Sequence, residues 1–238
     1  MVTVPLGRRA LAEFVGTGFL VAAVVGSGIA AQKLSPADTG LQLLENAAAT
    51  AAGLAAVILA VGPVSGAHLN PVVSLADRLF GGLTTRELAV YVTAQTAGGV
   101  FGCVVANLMF ELPPVAWSRT ARSSGGLWLA EGVATIGLLL VIFGIVRSGR
   151  AGAVAAAVGA YIGAAYWFTS STSFANPAVT VARMFTDTFA GIAPGSVLGF
   201  VACQLAGGLL GVGLVRLLYP DVATVAADVV IPTVEETS

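Results

Sequence analysis

The sequence predicts an all-α membrane protein with six transmembrane helices and two shorter re-entrant half-helices, arranged as an inverted 3+3 repeat. Three observations lead to this fold class: the composition, six long apolar segments, and two Asn-Pro motifs at interruptions of apolar sequence. Of 238 residues, 57% are hydrophobic and only 10% are charged, and the mean hydropathy is +0.92. Because so few charges cannot cover a water-soluble globule, we expect the chain to lie in a bilayer.

Six charge-poor segments are each about 20 residues long, enough to cross the hydrocarbon core as a helix. They are residues 11–31, 44–64, 88–110, 127–146, 151–168 and 197–218. Arg8 and Arg9 precede the first segment, as in a signal peptide. That segment has full spanning length and contains Glu13, so we expect a first transmembrane helix instead.

The basic residues predict the orientation of the chain in the membrane. An even number of spans places both termini on one side of the membrane. If that side is the cytoplasm, seven arginines lie inside and four basic residues lie outside, in agreement with the positive-inside rule. The inner set is Arg8, Arg9, Arg78, Arg86, Arg147, Arg150 and Arg216, and the outer set is Lys33, Arg119, Arg122 and Arg183. Short loops and an Ala/Gly/Val bias suggest a bacterial inner membrane.

The whole chain, 1–238, is predicted to form a single channel domain built from two matching halves. Repeat 1 covers about 8–112, repeat 2 covers about 125–219, and 220–238 is predicted to be a disordered tail. Three landmarks recur in the same order, with the Asn-Pro motifs 106 residues apart (176 minus 70). The landmark pairs are Glu13 and Glu131, Asn70-Pro71 and Asn176-Pro177, and Gln95 and Gln204. Because each half has three spans, the second half crosses the membrane in the opposite sense.

Each Asn-Pro motif predicts the start of a half-helix at the middle of the membrane. Proline suits the first helical turn, where its missing N–H would be unpaired anyway. The apolar stretches that follow, 72–79 and 178–185, are too short to span. Asn70 and Asn176 are therefore predicted to cap two opposed helix ends at a pore centre, together with Pro71 and Pro177, where the positive ends of the dipoles repel cations.

The loops before the two asparagines are predicted to line this pore with polar backbone. Irregular backbone at membrane depth is tolerated only when it is buried in protein or lines a wet cavity. Carbonyl groups there can exchange hydrogen bonds with a passing solute. The predicted lining residues are Gly66, Ala67, His68, Thr172, Ser173 and Phe174.

The sequences SGAHLNPV at 65–72 and FANPA at 174–178 resemble the paired loops of the aquaporin and aquaglyceroporin family, also called major intrinsic proteins. The resemblance extends over about 12–217. It implies a right-handed bundle of six helices with two half-helices, usually a homotetramer with one pore in each subunit.

The same resemblance implies a narrow outer ring of four residues, here called the filter. By position it matches Thr50 on helix 2, Ala164 on helix 5, and Ser173 and Val179 in the second loop. Val179 stands where an arginine nearly always follows the motif, and loss of a guanidinium removes five donors and a permanent charge. The resulting wide, uncharged ring favours water plus glycerol, urea or metalloid acids such as arsenous acid. Some bacterial relatives with the Asn-Pro-Ala-Val form are linked to arsenical handling.

Several polar residues allow two interpretations. His68 fits a neutral pore-edge residue better than a proton relay. Glu13 and Glu131 are expected to accept hydrogen bonds from loop N–H groups rather than to bind a coupling ion. Arg183, seven residues after Asn176, is expected at the outer rim.

Other function classes are weakly supported by the sequence. We recognise no nucleophile-base pair, metal cluster or phosphate loop, so neither an enzyme nor a cofactor is predicted, and a net charge of −1 does not indicate a nucleic-acid partner. A mainly water-conducting pore stays an alternative, as does an ion-coupled secondary transporter, which also uses inverted repeats. A leak of ions or protons is a further possibility, because the usual arginine is absent.

Overall fold

A computed structural model describes residues 4–220, and the predicted tail lies almost wholly outside these described residues. Within them, six helices are long and apolar enough to cross a membrane. These are α1 (Leu6–Leu34), α2 (Thr39–Ser65), α4 (Thr85–Met109), α5 (Gly125–Arg147), α6 (Val154–Phe168, preceded by the 3₁₀ turn Ala151–Ala153) and α8 (Pro194–Leu218). The prediction of six spans is confirmed, with each helix covering the predicted segment to within a few residues.

Side-chain caps fix where several helices begin. The Asp38 side chain accepts a hydrogen bond from the backbone N–H of Leu41 at 2.9 Å and begins α2. Thr84 and Glu87 form a reciprocal capping box at the start of α4. At the other end of α2, Gly66 adopts a left-handed φ of 84°, which turns the chain into the first loop.

Two short helices complete the architecture. They are α3 (Pro71–Phe80) and α7 (Pro177–Ala182), and the latter continues as the 3₁₀ turn Arg183–Phe185. In both, proline occupies the first helical turn and the preceding asparagine is the N-cap. With 10 and 6 residues, neither is long enough to cross a bilayer.

The helices pack as two matching groups. In the first half, α1 contacts α2 and α4, while in the second half α5 contacts α6 and α8. The halves meet where α2 packs on α6, and each half-helix also contacts the other half, α3 through α8 and α7 through α4. The two half-helices are thereby brought to the centre of the bundle.

Glycines allow neighbouring spans to approach closely. A Cβ atom added at Gly98 would lie 2.1 Å from the carbonyl oxygen of Phe14, and one at Gly102 would lie 2.0 Å from that of Gly18. In the second half, a Cβ at Gly207 would lie 2.6 Å from the carbonyl oxygen of Gly132. Since no side chain fits in these gaps, glycine is required for the α1–α4 and α5–α8 contacts.

Candidate functional site

The two predicted caps meet at the centre of the molecule. The Asn70 side-chain oxygen accepts from the N–H of Val72 at 2.9 Å, while its Nδ2 donates to the carbonyl of Ala175 at 2.8 Å. Asn176 Nδ2 donates in turn to the carbonyl of Leu69 at 2.7 Å. Each asparagine therefore caps its own half-helix and binds the loop of the other repeat.

Both loops adopt the same unusual backbone conformation. Six residues have positive φ, and they form three pairs separated by the same 106 positions as the asparagines. They are Gly66 (84°) and Thr172 (63°), Ala67 (47°) and Ser173 (49°), and Leu69 (51°) and Ala175 (46°). For a non-glycine residue this conformation costs of order 1 kcal/mol or more. Such strain persists only where surrounding contacts determine the loop.

Glu13 on α1 supplies those contacts in the first repeat. Its carboxylate is fully buried and accepts hydrogen bonds from the backbone N–H groups of His68 at 2.9 Å and Leu69 at 2.7 Å. The Ser65 hydroxyl and the Gln95 amide also donate to it, at 2.6 and 2.7 Å. A buried carboxylate is thus surrounded by four donors, which compensates its removal from water.

Glu131 on α5 repeats this arrangement in the second half. It accepts from the N–H groups of Phe174 at 2.9 Å and Ala175 at 2.8 Å, and from the Gln204 amide at 2.6 Å. Within residues 4–220, no group of His, Cys, Asp and Glu could hold a metal ion. The surroundings of both glutamates are those of a loop support.

A cavity runs between the two loops and is lined by residues of both repeats. Most of its wall is aliphatic, from α1, α2, α5 and α6, and includes Leu20, Val24, Leu54, Ile58, Leu138, Ile142, Val154, Val158 and Ile162. The polar lining residues are Thr50, His68, Asn70, Tyr166, Ser173, Asn176 and Arg183. The end of the cavity near Arg183 is called the outer mouth below, and the end near His68 the inner mouth, after the orientation that the sequence predicts.

Three of the four predicted filter residues line the cavity, namely Thr50, Ser173 and Val179. The fourth, Ala164, is exposed and is not among the lining residues. Tyr166 lines the cavity instead, with its hydroxyl oxygen 3.2 Å from that of Thr50. An error of two residues turns a helix by about 200°, which exchanges the pore face for the lipid face.

The other predicted residues divide into two groups. Ala67, His68, Asn70, Ser173, Phe174 and Asn176 line the cavity. Gly66 and Thr172 are not among its lining residues; they precede the lining residues and take part in the strained turns. Pro71 and Pro177 are buried and begin the half-helices without lining the cavity.

Arg183 is a lining residue that the sequence interpretation placed elsewhere. It is not at an exposed rim: only 2% of it is accessible, and its guanidinium carbon lies 3.4 Å from the ring centroid of Phe174. Its Nε donates to the carbonyl oxygen of Ala190. The sequence does contain a signal that Arg183 lines the cavity. Arg183 follows Val179 by four residues, which places both on one face of a helix.

Asp77 is a buried acidic residue that the sequence interpretation missed. It lies near the inner mouth, with its Oδ2 3.9 Å from His68 Nε2. The other ring nitrogen of His68 is 3.0 Å from the Ser74 hydroxyl, and the ring meets Tyr91 edge-on at 5.2 Å. The histidine is therefore held on both sides within a polar pocket.

The loop beyond the outer mouth is held by an ion pair at its surface. Arg119 donates to Asp187 through its backbone N–H at 3.0 Å and through Nε at 2.7 Å. These hydrogen bonds hold the pKa of the Asp187 carboxyl below its ordinary value. The pair lies in water, so it contributes little to stability.

Comparisons with known proteins agree with this geometry. Residues 1–175 match the family model described as major intrinsic protein. Aquaglyceroporin AqpS of Rhizobium meliloti (strain 1021) is 53% identical over 216 residues, which cover 90% of this chain and 92% of that protein. Probable aquaporin TIP5-1 of Oryza sativa subsp. japonica is 30% identical over 245 residues, covering 98% of this chain and 87% of that protein.

A solved structure shares the fold. The X-ray structure of the aquaglyceroporin from Plasmodium falciparum matches with a TM-score of 0.72 at 20% identity, covering 92% of this chain and 100% of that chain. Six spanning helices with two opposed half-helices around a cavity define a multi-pass membrane channel. The chain belongs to the major intrinsic protein family, as the two motifs indicated, and is a channel for small neutral solutes rather than an enzyme.

Proposed function

We propose that this channel conducts water together with glycerol, urea and neutral metalloid acids such as arsenous acid, passively and in both directions. The observation that carries the proposal is the composition of the cavity lining, which combines many aliphatic side chains with a smaller set of polar ones. A solute that carries hydroxyl groups on carbon or on a metalloid can contact both kinds of side chain. An ion would lose its hydration shell against the aliphatic wall without compensation.

Val179 supports passage of solutes larger than water. Its side chain is buried and lines the cavity at the position where the family resemblance leads one to expect an arginine. Val179 is shorter and adds no donors or charge, so it leaves space beside Thr50 and Ser173. The similarity to an aquaglyceroporin over nine-tenths of the chain supports the same substrate class.

Light scattering of reconstituted vesicles tests this proposal. After an osmotic step with glycerol, urea or arsenous acid, protein-containing vesicles should swell faster than empty vesicles, and the rate should scale with protein content. Equal rates with and without protein for all three solutes, alongside fast water flow, would refute the proposal and leave a water channel.

That second candidate, a mainly water-conducting pore, is favoured by one observation. Tyr166 lines the cavity where the sequence interpretation expected a small alanine, and its hydroxyl group contacts that of Thr50 in the cavity wall. The same vesicle experiment separates the two candidates, because only the wider pore passes the larger solutes.

The ion-coupled transporter finds less support. Alternating access would require one repeat to move against the other around a central site. Here Asn70 and Asn176 each bind a carbonyl of the opposite loop, at 2.8 and 2.7 Å, so such a movement would break both hydrogen bonds. Uptake that depends on an ion gradient and saturates with solute would favour the transporter instead.

We further propose a homotetramer with both termini in the cytoplasm. The family resemblance supports the tetramer, and the inner excess of arginines supports the orientation. Native mass spectrometry in detergent would give the number of subunits. A membrane-impermeant thiol reagent applied to intact cells should label a cysteine introduced at Arg119 but not one introduced at Arg86.

A further inference from the structure

We infer that Arg183 supplies the cation barrier of the outer mouth, a role that position 179 cannot perform because it is valine. The inference rests on the proposed function of a pore for neutral solutes. It assigns to Arg183 the rejection of monovalent cations and the donation of hydrogen bonds to acceptor oxygens of a hydroxylated solute. Four observations carry it.

The first observation is position. Arg183 follows Val179 by four residues, and the helix α7 continues through a 3₁₀ turn to Arg183, so the two residues lie on one face, about one turn apart. Both line the cavity together with Thr50 and Tyr166. The cavity wall therefore carries a cationic side chain one turn beyond Val179.

The second observation is the state of the guanidinium. Within residues 4–220 no carboxylate forms an ion pair with Arg183, although the residue is 98% buried. Its bond to Ala190 uses only Nε, one of the five donors of an arginine. Arg183 lines the cavity. Neither terminal nitrogen of its guanidinium is among the fully buried side-chain atoms that lack a hydrogen-bond partner. These donors can therefore face the pore.

The third observation is a second, half-buried cation beside the first. The guanidinium carbon of Arg122 lies 5.2 Å from the centroid of the same Phe174 ring that Arg183 covers at 3.4 Å. Arg122 Nε donates to the carbonyl of Gly191 at 2.9 Å. Phe174 and the loop around Ala190 hold both guanidinium groups in place. A cation that reaches Arg183 therefore meets its positive charge and, around the same aromatic ring, that of Arg122.

The fourth observation is that the repeat does not require a cation at this position. Asp77 lies 106 residues before Arg183, the same separation as between the two asparagines (183 minus 77, and 176 minus 70). His68 and Phe174 are also equivalent, 106 residues apart, and each faces the charged residue of its own mouth. Because equivalent positions hold an acidic and a basic residue, the repeated backbone alone does not require an arginine at residue 183.

The experiment measures K⁺ and glycerol flux in the same reconstituted vesicles. Arg183→Gln should raise the K⁺ permeability at least about tenfold over wild type. Arg183→Lys, which keeps the charge, should leave it near the wild-type value, and so should the control Arg119→Gln, which removes an exposed outer charge. An unchanged K⁺ permeability in folded Arg183→Gln, or an increase as large in Arg119→Gln, would overturn the inference.

Arg183 also holds the Ala190 loop, so Arg183→Gln can fail to fold. Folded wild-type channel treated with 2,3-butanedione, a small neutral reagent for arginine, provides a second route, with peptide mass spectrometry locating the modified residues. Modification at Arg183 with a rise in K⁺ permeability supports the barrier. No modification at Arg183 contradicts its access to the pore, and modification without a rise contradicts its role.

Failure of the proposed function would look different. If glycerol fails to pass through the wild-type channel while Arg183→Gln still gains K⁺ permeability, the substrate assignment is wrong and the barrier stands. If glycerol passes and the variant gains no K⁺ permeability, the substrate assignment stands and the barrier is wrong.

Discussion

Thr50 and Tyr166 meet in the wall of the cavity, with their hydroxyl oxygens 3.2 Å apart. Thr50 comes from the first repeat and Tyr166 from the second, so this contact joins the halves beside the pore. Both residues line the cavity, and both are buried. The tyrosine ring therefore borders the cavity at the same level as Thr50.

Shortening the tyrosine should enlarge the range of solutes. Tyr166→Ala removes the ring and is expected to raise the permeability to a five-carbon polyol such as xylitol about tenfold, with a smaller effect on glycerol. Tyr166→Phe serves as the control, because it keeps the ring and loses only the hydroxyl. Stopped-flow swelling measures both, and an unchanged xylitol rate in Tyr166→Ala would show that the pore is limited elsewhere.

Filling the space at Val179 should have the opposite effect. Val179→Arg places a long cationic side chain one turn before Arg183, and glycerol permeability is expected to fall about tenfold or more, with water flow less affected. Val179→Leu adds volume without charge and should reduce glycerol permeability less. The ratio of glycerol to water permeability is the measurement, and an equal ratio in wild type and Val179→Arg would argue against Val179 as a filter residue.

Neutralising a loop support should destabilise the channel. Glu131→Gln replaces a carboxylate that accepts from two backbone N–H groups with an amide that presents a donor to one of them. Hydrogen bonds to a charged group contribute about 1.5–3 kcal/mol each, so the loss should exceed 2 kcal/mol. Thermal unfolding in detergent tests this, with Glu111→Gln as an exposed control that should leave the midpoint unchanged. A wild-type midpoint for Glu131→Gln would contradict the supporting role.

Adding one methyl group between α1 and α4 should separate them. A Cβ at Gly102 would lie 2.0 Å from the Gly18 carbonyl oxygen, so Gly102→Ala forces the two backbones apart and should cost about 1–3 kcal/mol. Gly213→Ala on α8 is the matched control, because nothing lies within 4 Å of an added Cβ there. The relative yield of folded protein and the thermal midpoint report the difference, and equal behaviour of both variants would mean that the contact is not tight.

The six spans and the starts of the two half-helices could be predicted from the sequence because each depends on local sequence and on the properties of lipid. Twenty-residue apolar segments have one stable arrangement in lipid, and Asn-Pro at their interruptions defines a helix start. The expected partners of Glu13 and Glu131 followed from loop N–H groups that lipid leaves unpaired. Each of these deductions depends on local sequence and the solvent alone.

Two pore residues, Tyr166 and Arg183, could not be located in this way. Tyr166 lies, like Ala164, in a helix that is apolar on every side, so no amphipathic pattern shows which face points inward. Arg183 is expected at the outer rim from the sequence because a cation at the end of the half-helix complements the negative end of the helix dipole. Its burial depends on the Phe174 ring and the Ala190 carbonyl, which are brought to it only by the tertiary fold.

The reciprocal bonds of Asn70 and Asn176 to the opposite loops have a consequence for the energetics of transport. A central aperture fixed by both repeats needs no conformational cycle for each molecule that passes. Conduction through it should therefore show the weak thermal activation of diffusion in water, and solute fluxes should increase in proportion to the concentration difference without reaching a turnover limit.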